Sequence, residues 1–164
     1  MTKSVHDFTV KTIDGATKSL ADYKGQVLLI VNVASQCGLT PQYKGLEELH
    51  EAFGPRGLRV LGFPANDFGA QEPGTEAEIK TFCTTNYGVG FDMFAKVKVK
   101  GEGTAPLFDY LQSPSTNPSF GGPIKWNFNK FLVGKNGEVL GRFEPQVEPT
   151  SADVKQAIEK ALAS

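Results

Sequence analysis

Val27-Leu28-Leu29-Ile30-Val31 runs into Asn32-Val33-Ala34-Ser35-Gln36-Cys37-Gly38-Leu39-Thr40, and Pro41-Gln42-Tyr43 follows. The first five residues are apolar and rich in β-branched side chains, as in a strand covered on both faces. Pro41 suits the first turn of a helix, where its missing N–H costs nothing. Tyr43, Leu46, Leu49, His50 and Phe53 then recur at helical spacing, and Gly54-Pro55 ends the run. Leu58 to Phe63 reads as a second strand, closed by Pro64. Strand, helix and strand in this order predict a βαβ unit with parallel strands. Cys37 falls where the first strand hands over to the helix. A helix start offers unpaired N–H groups and the positive end of the helix dipole, which favour a thiolate. The competing reading of a lone cysteine is inert packing. Ser35, Gln36 and Gly38 are small or polar and suit an exposed turn better than a core.

Upstream, Phe8 to Thr12 and Thr17 to Leu20 flank Asp14-Gly15 and predict a hairpin. Downstream, Asn66 to Gly74 (NDFGAQEPG) is a polar loop leaving the carboxyl end of the second strand, as Asn32 to Thr40 leaves the first. That edge of a parallel sheet is where α/β proteins build their sites. Thr75 with Glu78 three residues on is a capping box, predicting a helix from Glu76 to Asn86 with Ile79, Phe82 and Cys83 on one side. Phe91 to Val99 is expected to be extended, and Pro106 to Gln112 a short helix. Phe131-Leu132-Val133 and Glu138 to Phe143 flank Asn136-Gly137 as a hairpin. Pro149 to Ala163 predicts a final amphipathic helix. This order predicts an α/β, thioredoxin-like fold. Its core is a central mixed sheet of four or five strands flanked by helices, with an N-terminal β-hairpin. Residues 1–164 are expected to form a single domain, since too few residues follow the Ser113–Pro123 loop to build a second core.

Composition narrows the function. The 164 residues carry a net charge of -1, so no basic field points to nucleic acid or an anionic membrane. The longest apolar run is too short to span a bilayer. The N-terminus lacks the apolar core of a secretory signal, so a cytoplasmic, reducing setting is expected. Cys37 and Cys83 are the only cysteines and lie far apart in sequence, which is neither a C-x-x-C redox pair nor a zinc spacing. His6 and His50 do not supply the paired spacing of a zinc site. No metal and no cofactor is expected. A single reactive cysteine at the redox position of this fold suits attack on a small electrophile, and peroxide is the natural one. The thiolate would attack O–O and become a sulfenic acid.

Three stretches carry a resemblance. NVASQCGLT at Asn32–Thr40, FPANDFGAQEPG at Phe63–Gly74 and KWNFNKFLVGKNGEV at Lys125–Val139 resemble, in order, the three signatures of the glutathione peroxidases. The resemblance extends from about Val5 to Ala163. It implies a thioredoxin-like fold and peroxidase chemistry, with Cys37 as the peroxidatic residue. Gln71, Trp126 and Asn127 match the family's active-site glutamine, tryptophan and asparagine. All three are N–H donors, able to favour a thiolate and to steady the leaving oxygen. Taken singly they would read as a loop residue, a core ring and a turn residue.

Helical spacing alone makes Cys83 a buried helix cysteine. The resemblance instead puts it where the monomeric, thioredoxin-dependent branch carries a resolving cysteine. It then implies a Cys37–Cys83 disulfide recycled by thioredoxin, with hydrogen peroxide and organic or lipid hydroperoxides as substrates. Two sulfurs bond only when their Cα atoms come within about 7 Å, so the helix around Cys83 is expected to unwind in part. Ala65 stands where many members have a further cysteine, and Asp67 where a glutamine is more usual. The short Ser113–Pro123 segment implies a monomer with an open site. Glutathione is the alternative reductant, and a peroxide-sensing relay protein is the alternative role. A peroxiredoxin would carry Pro-x-x-x-Thr-x-x-Cys, and a copper chaperone a C-x-x-x-C pair; the chain has neither.

Overall fold

The computed structural model describes residues 4–164. The reading of the N-terminus as free of an export signal rests partly on Met1 to Lys3, which lie outside the described residues. Strands β1 (Thr9–Lys11) and β2 (Thr17–Ser19) form the expected antiparallel hairpin. Strand β3 (Val27–Val33) is buried at all seven positions. Helix α1 (Gln42–Phe53) follows it and turns Tyr43, Leu46, Leu49 and Phe53 inward at helical spacing. Strand β4 (Leu58–Pro64) then pairs with β3 in parallel, from Val27 opposite Leu58 to Val33 opposite Pro64.

Helix α2 (Glu76–Tyr87) has the capping box that Thr75 and Glu78 predict, and Gly88 closes it in the left-handed conformation. Only Ile79 and Cys83 of its residues are fully buried. Strand β5 (Asp92–Met93) adds to the far side of β4, and helix α3 (Pro106–Gln112) follows. Strands β6 (Lys130–Val133) and β7 (Val139–Phe143) make the Asn-Gly hairpin, β6 lying antiparallel to β3. Helix α4 (Ala152–Ala163) ends the chain. The result is a mixed five-stranded sheet in the order β5-β4-β3-β6-β7, with β3 central.

Alternate residues of β3 serve two apolar layers, because side chains alternate along a strand. Leu29, Val31 and Val33 pack with residues of α1, α2 and α4. Leu28 and Ile30 pack on the other face with Phe63, Phe94, Phe131 and the α3 residues Phe108 and Leu111. Cys37 and Cys83 both belong to the first layer.

The extended stretch expected over Phe91–Val99 is a strand only at Asp92–Met93. Phe94 N–H donates to Gly62 O, and Val97 N–H donates to Pro64 O. The intervening Lys96 N–H is drawn away to Glu76 Oε2 at 3.1 Å. That diversion costs the segment its regular ladder with β4. On its other side the hairpin reaches it, with Thr12 bridging Phe94 and Ala95 N–H donating to Lys11 O. The outer edge of the sheet is thereby covered.

Candidate active site

Cys37 lies ahead of α1, in tight turns before the helix begins at Gln42, rather than in its first turn. Thr40 shapes the turn: Cys37 N–H donates to Thr40 Oγ1 at 2.9 Å, and that hydroxyl donates to Ala34 O at 2.8 Å. The donor at the sulfur is local, since Leu39 N–H donates to Cys37 Sγ at 3.3 Å. Gln36 and Gly38 are exposed and Ser35 half-buried, but Cys37 itself keeps only 7% exposure.

The β4–α2 loop packs directly on this turn. Gln36 N–H donates to Gln71 O at 3.0 Å, so Gln71 lies beside the residue preceding Cys37. The third stretch reaches the same edge because β6 runs antiparallel to β3 and enters the sheet from there. Asn32, fully buried on β3, holds it there. Its Nδ2 donates to Trp126 O at 3.1 Å, its Oδ1 accepts from Asn129 N–H, and its own carbonyl accepts from Phe128 N–H. Phe128 takes the left-handed φ of 67°, a conformation few side chains adopt without support from their surroundings. Asn127 Nδ2 donates to Gln71 Oε1 at 3.1 Å, and the Trp126 ring lies 5.9 Å from the Phe68 ring. Cys37, Gln71, Trp126 and Asn127 thus share one end of the sheet.

Cys83 stands apart from that edge, in the layer under α2 at 1% exposure. Both cysteines are free thiols. Burial pushes the Cys83 thiol up to about 11, with the Tyr43 hydroxyl opposing and the Glu72 carboxylate adding to the rise. Asp67 turns away to the loop after β5, its Oδ2 accepting Val99 N–H at 2.6 Å and its Oδ1 pairing with Lys98 at 3.2 Å. Ala65 is buried and bridges Val97.

Three supporting residues escaped the sequence reading. Asn32 is one. Lys130 is fully buried, with Nζ donating to Phe128 O at 2.7 Å and Pro145 O at 3.3 Å. Its burial pushes the ammonium down to about 7. A lysine opening the apolar run Phe131-Leu132-Val133 was the available signal. Glu72 is the third: it is fully buried, and its Oε1 accepts from both Ser35 N–H and Ser35 Oγ. A glutamate next to Pro73-Gly74 looks like an ordinary loop residue, and nothing in sequence marks it as buried.

Among the described residues no three His, Cys, Asp or Glu side chains gather as a metal site requires, and no helix is long and apolar enough to cross a membrane. Residues 5–112 match the family model described as glutathione peroxidase. The hydroperoxy fatty acid reductase gpx1 of Synechocystis sp. is 49% identical, over 97% of this chain and 96% of its own. The thioredoxin/glutathione peroxidase BtuE of Escherichia coli is 46% identical, over 99% of this chain and 100% of its own. The crystal structure of Trgpx in apo form superposes with a TM-score of 0.80 at 34% identity, covering 100% of this chain and 98% of that one.

Proposed function

We infer the reaction from one premise: the chain belongs to the glutathione peroxidase family. It is a peroxidase, an oxidoreductase that reduces hydroperoxides. In our reading the Cys37 thiolate attacks the terminal oxygen of a hydroperoxide, the O–O bond breaks, and the alkoxide or hydroxide leaves and takes up a proton. Cys37 becomes a sulfenic acid. The observation that carries this reading is the meeting of Cys37, the Gln71–Asn127 pair and Trp126 at one sheet edge, joined by the Gln36-to-Gln71 backbone bond. Donors fixed there in advance can steady the negative charge that builds on the leaving oxygen.

The Cys83 thiol then displaces hydroxide from Cys37 Sγ, giving a Cys37–Cys83 disulfide and water. Thioredoxin reduces the disulfide by exchange. Two observations support Cys83 as the partner: it shares an apolar layer with Cys37, and the helix that carries it buries only two residues. The substrates are hydrogen peroxide and organic or lipid hydroperoxides, a reading supported by the name of the Synechocystis relative. The setting is a cytoplasmic monomer. Glutathione is the alternative reductant, because the name of the Escherichia coli relative carries both.

The test is the intact mass of reduced protein after one equivalent of hydrogen peroxide. Loss of two hydrogens supports the disulfide cycle, and turnover with thioredoxin but not glutathione completes it. Gain of one oxygen without hydrogen loss turns the reading to glutathione. A trapped mixed disulfide with another protein and slow turnover turns it to a peroxide sensor. An unchanged mass overturns peroxide chemistry at Cys37.

A further inference from the structure

Between the turn that carries Cys37 and helix α2 lies a cavity of about 160 Å³, lined by neither cysteine itself. Ser35 and Gln36, just before Cys37, line one side, and Ile79 and Phe82, next to Cys83 on α2, line the other. Glu72 forms its wall from the β4–α2 loop. The Glu72 backbone is held by Asn66 Oδ1, which accepts Glu72 N–H at 2.8 Å. Its Oε1 is taken by Ser35, but Oε2 is buried without any partner. A buried carboxylate oxygen with no donor is costly, so its retention calls for a use. Cys83 has the complementary need. Its thiol must lose a proton to attack, and burial, which pushes that thiol up to about 11, opposes the loss.

We propose that Glu72 takes the Cys83 thiol proton as the disulfide closes and hands it to the departing hydroxide. The inference rests on the Cys37–Cys83 reading and adds the route of its proton. The step balances. Glu72 carboxylate and Cys83 thiol become carboxylic acid and thiolate. The thiolate forms the S–S bond while the S–O bond of the Cys37 sulfenic acid breaks. The released hydroxide takes the proton from Glu72 and leaves as water, and the carboxylate is restored. Cys83 is oxidised and the sulfenic sulfur reduced, so no further reductant enters. Burial raises the Glu72 carboxyl above the usual carboxylate range, against the lowering effect of the Ser35 donors and Lys96. A raised carboxyl holds a proton more readily than an ordinary one, which suits a group that must both take a proton and give it up. The titratable groups around it are Tyr43 from α1, Cys83 and Glu78 from α2, and Lys96 from the segment after β5.

The test follows two steps separately after mixing with one equivalent of hydrogen peroxide: dimedone-trappable sulfenic acid, and loss of two hydrogens by quenched-flow mass measurement, both across a pH series. In the wild type, closure should speed up with rising pH as Glu72 ionises. In Glu72→Gln, sulfenic acid should form within about twofold of the wild-type rate, and closure should fall by about tenfold or more and lose that pH limb. Ser35→Ala, which removes one donor but keeps the carboxylate, should retain the limb. Equal slowing of both steps in Glu72→Gln would make Glu72 a mere prop for the Cys37 turn and overturn the proposal, as would closure at the wild-type rate. Should Glu72→Gln fail to fold, Glu72→Asp replaces it, and pH-independent closure there overturns the proposal. A wild type that never closes the disulfide fails the underlying reading instead.

Discussion

Asn127 Nδ2 donates to Gln71 Oε1 at 3.1 Å, joining two loops that are far apart in sequence. The bond occupies the Gln71 carbonyl oxygen and leaves the two N–H donors of its Nε2 unengaged by Asn127. Asn127 Oδ1 is buried and unpartnered, and a hydroperoxide or sulfenic O–H would satisfy it. Asn127→Ala and Gln71→Ala should each slow Cys37 oxidation by roughly 10–100-fold. The double variant should lose less than the product of the two, because the side chains act as a pair. Stopped-flow oxidation rates decide it; full additivity would separate their roles.

Cys83 is almost wholly buried and its thiol sits near 11, so the folded, reduced protein should alkylate selectively. At pH 8, iodoacetamide should label Cys37 at least about tenfold faster than Cys83, since the thiolate is the reactive form. Peptide mapping of partly labelled protein reads the ratio. Comparable labelling would mean that α2 is already open before oxidation.

Helix α2 should loosen when Cys37 is oxidised. It buries only Ile79 and Cys83, and Thr84-Thr85-Asn86 is a weak helix-forming run. Its rings Phe82 and Tyr87 lean on Tyr43, but Tyr43 keeps Phe91 and Phe128 as neighbours when they leave. The core floor therefore survives the opening. Amide exchange over residues 79–87 should be markedly faster in the oxidised form. Equal protection in both forms would refute the helix opening.

Periodicity and turn chemistry carried the fold to the reader. The strand 27–33, both Asn-Gly and Asp-Gly hairpins and the Thr75 cap all depend on neighbours within a few residues. Cys37 could be placed at the sheet edge for the same reason, although the turn that Thr40 closes shifted it ahead of the helix. Asn32, Glu72 and Lys130 stayed hidden because their partners are remote: Trp126 for Asn32, Ser35 for Glu72, Pro145 for Lys130. The loss of ladder at Lys96 is likewise a long-range event, set by Glu76.

Lys130 makes a pH signature. Its folded pKa, about 7, lies below the ordinary lysine value of 10.5. Between those values the unfolded chain holds the extra proton, so this group makes stability rise with pH, and its destabilising effect is complete below about 7. Its slope is at most about 1.4 kcal/mol per pH unit. Lys130→Met should lack that rise between pH 7 and 9 in denaturant titrations. The Cys83 thiol works in the opposite sense above pH 9, and the window avoids it. Identical slopes in both proteins would show that Lys130 stays charged when folded.

The chain has one tryptophan, and it is the half-buried Trp126 at the sheet edge that holds Cys37. Its ring is packed by Phe68 and touches both apolar layers. Indole emission from this protein is consequently a single-site signal, with no second fluorophore of its class to dilute it. Each redox state that alters the turn, the loop or the helix beneath should have its own brightness and colour, and the unlabelled protein can serve as an optical gauge of its own oxidation.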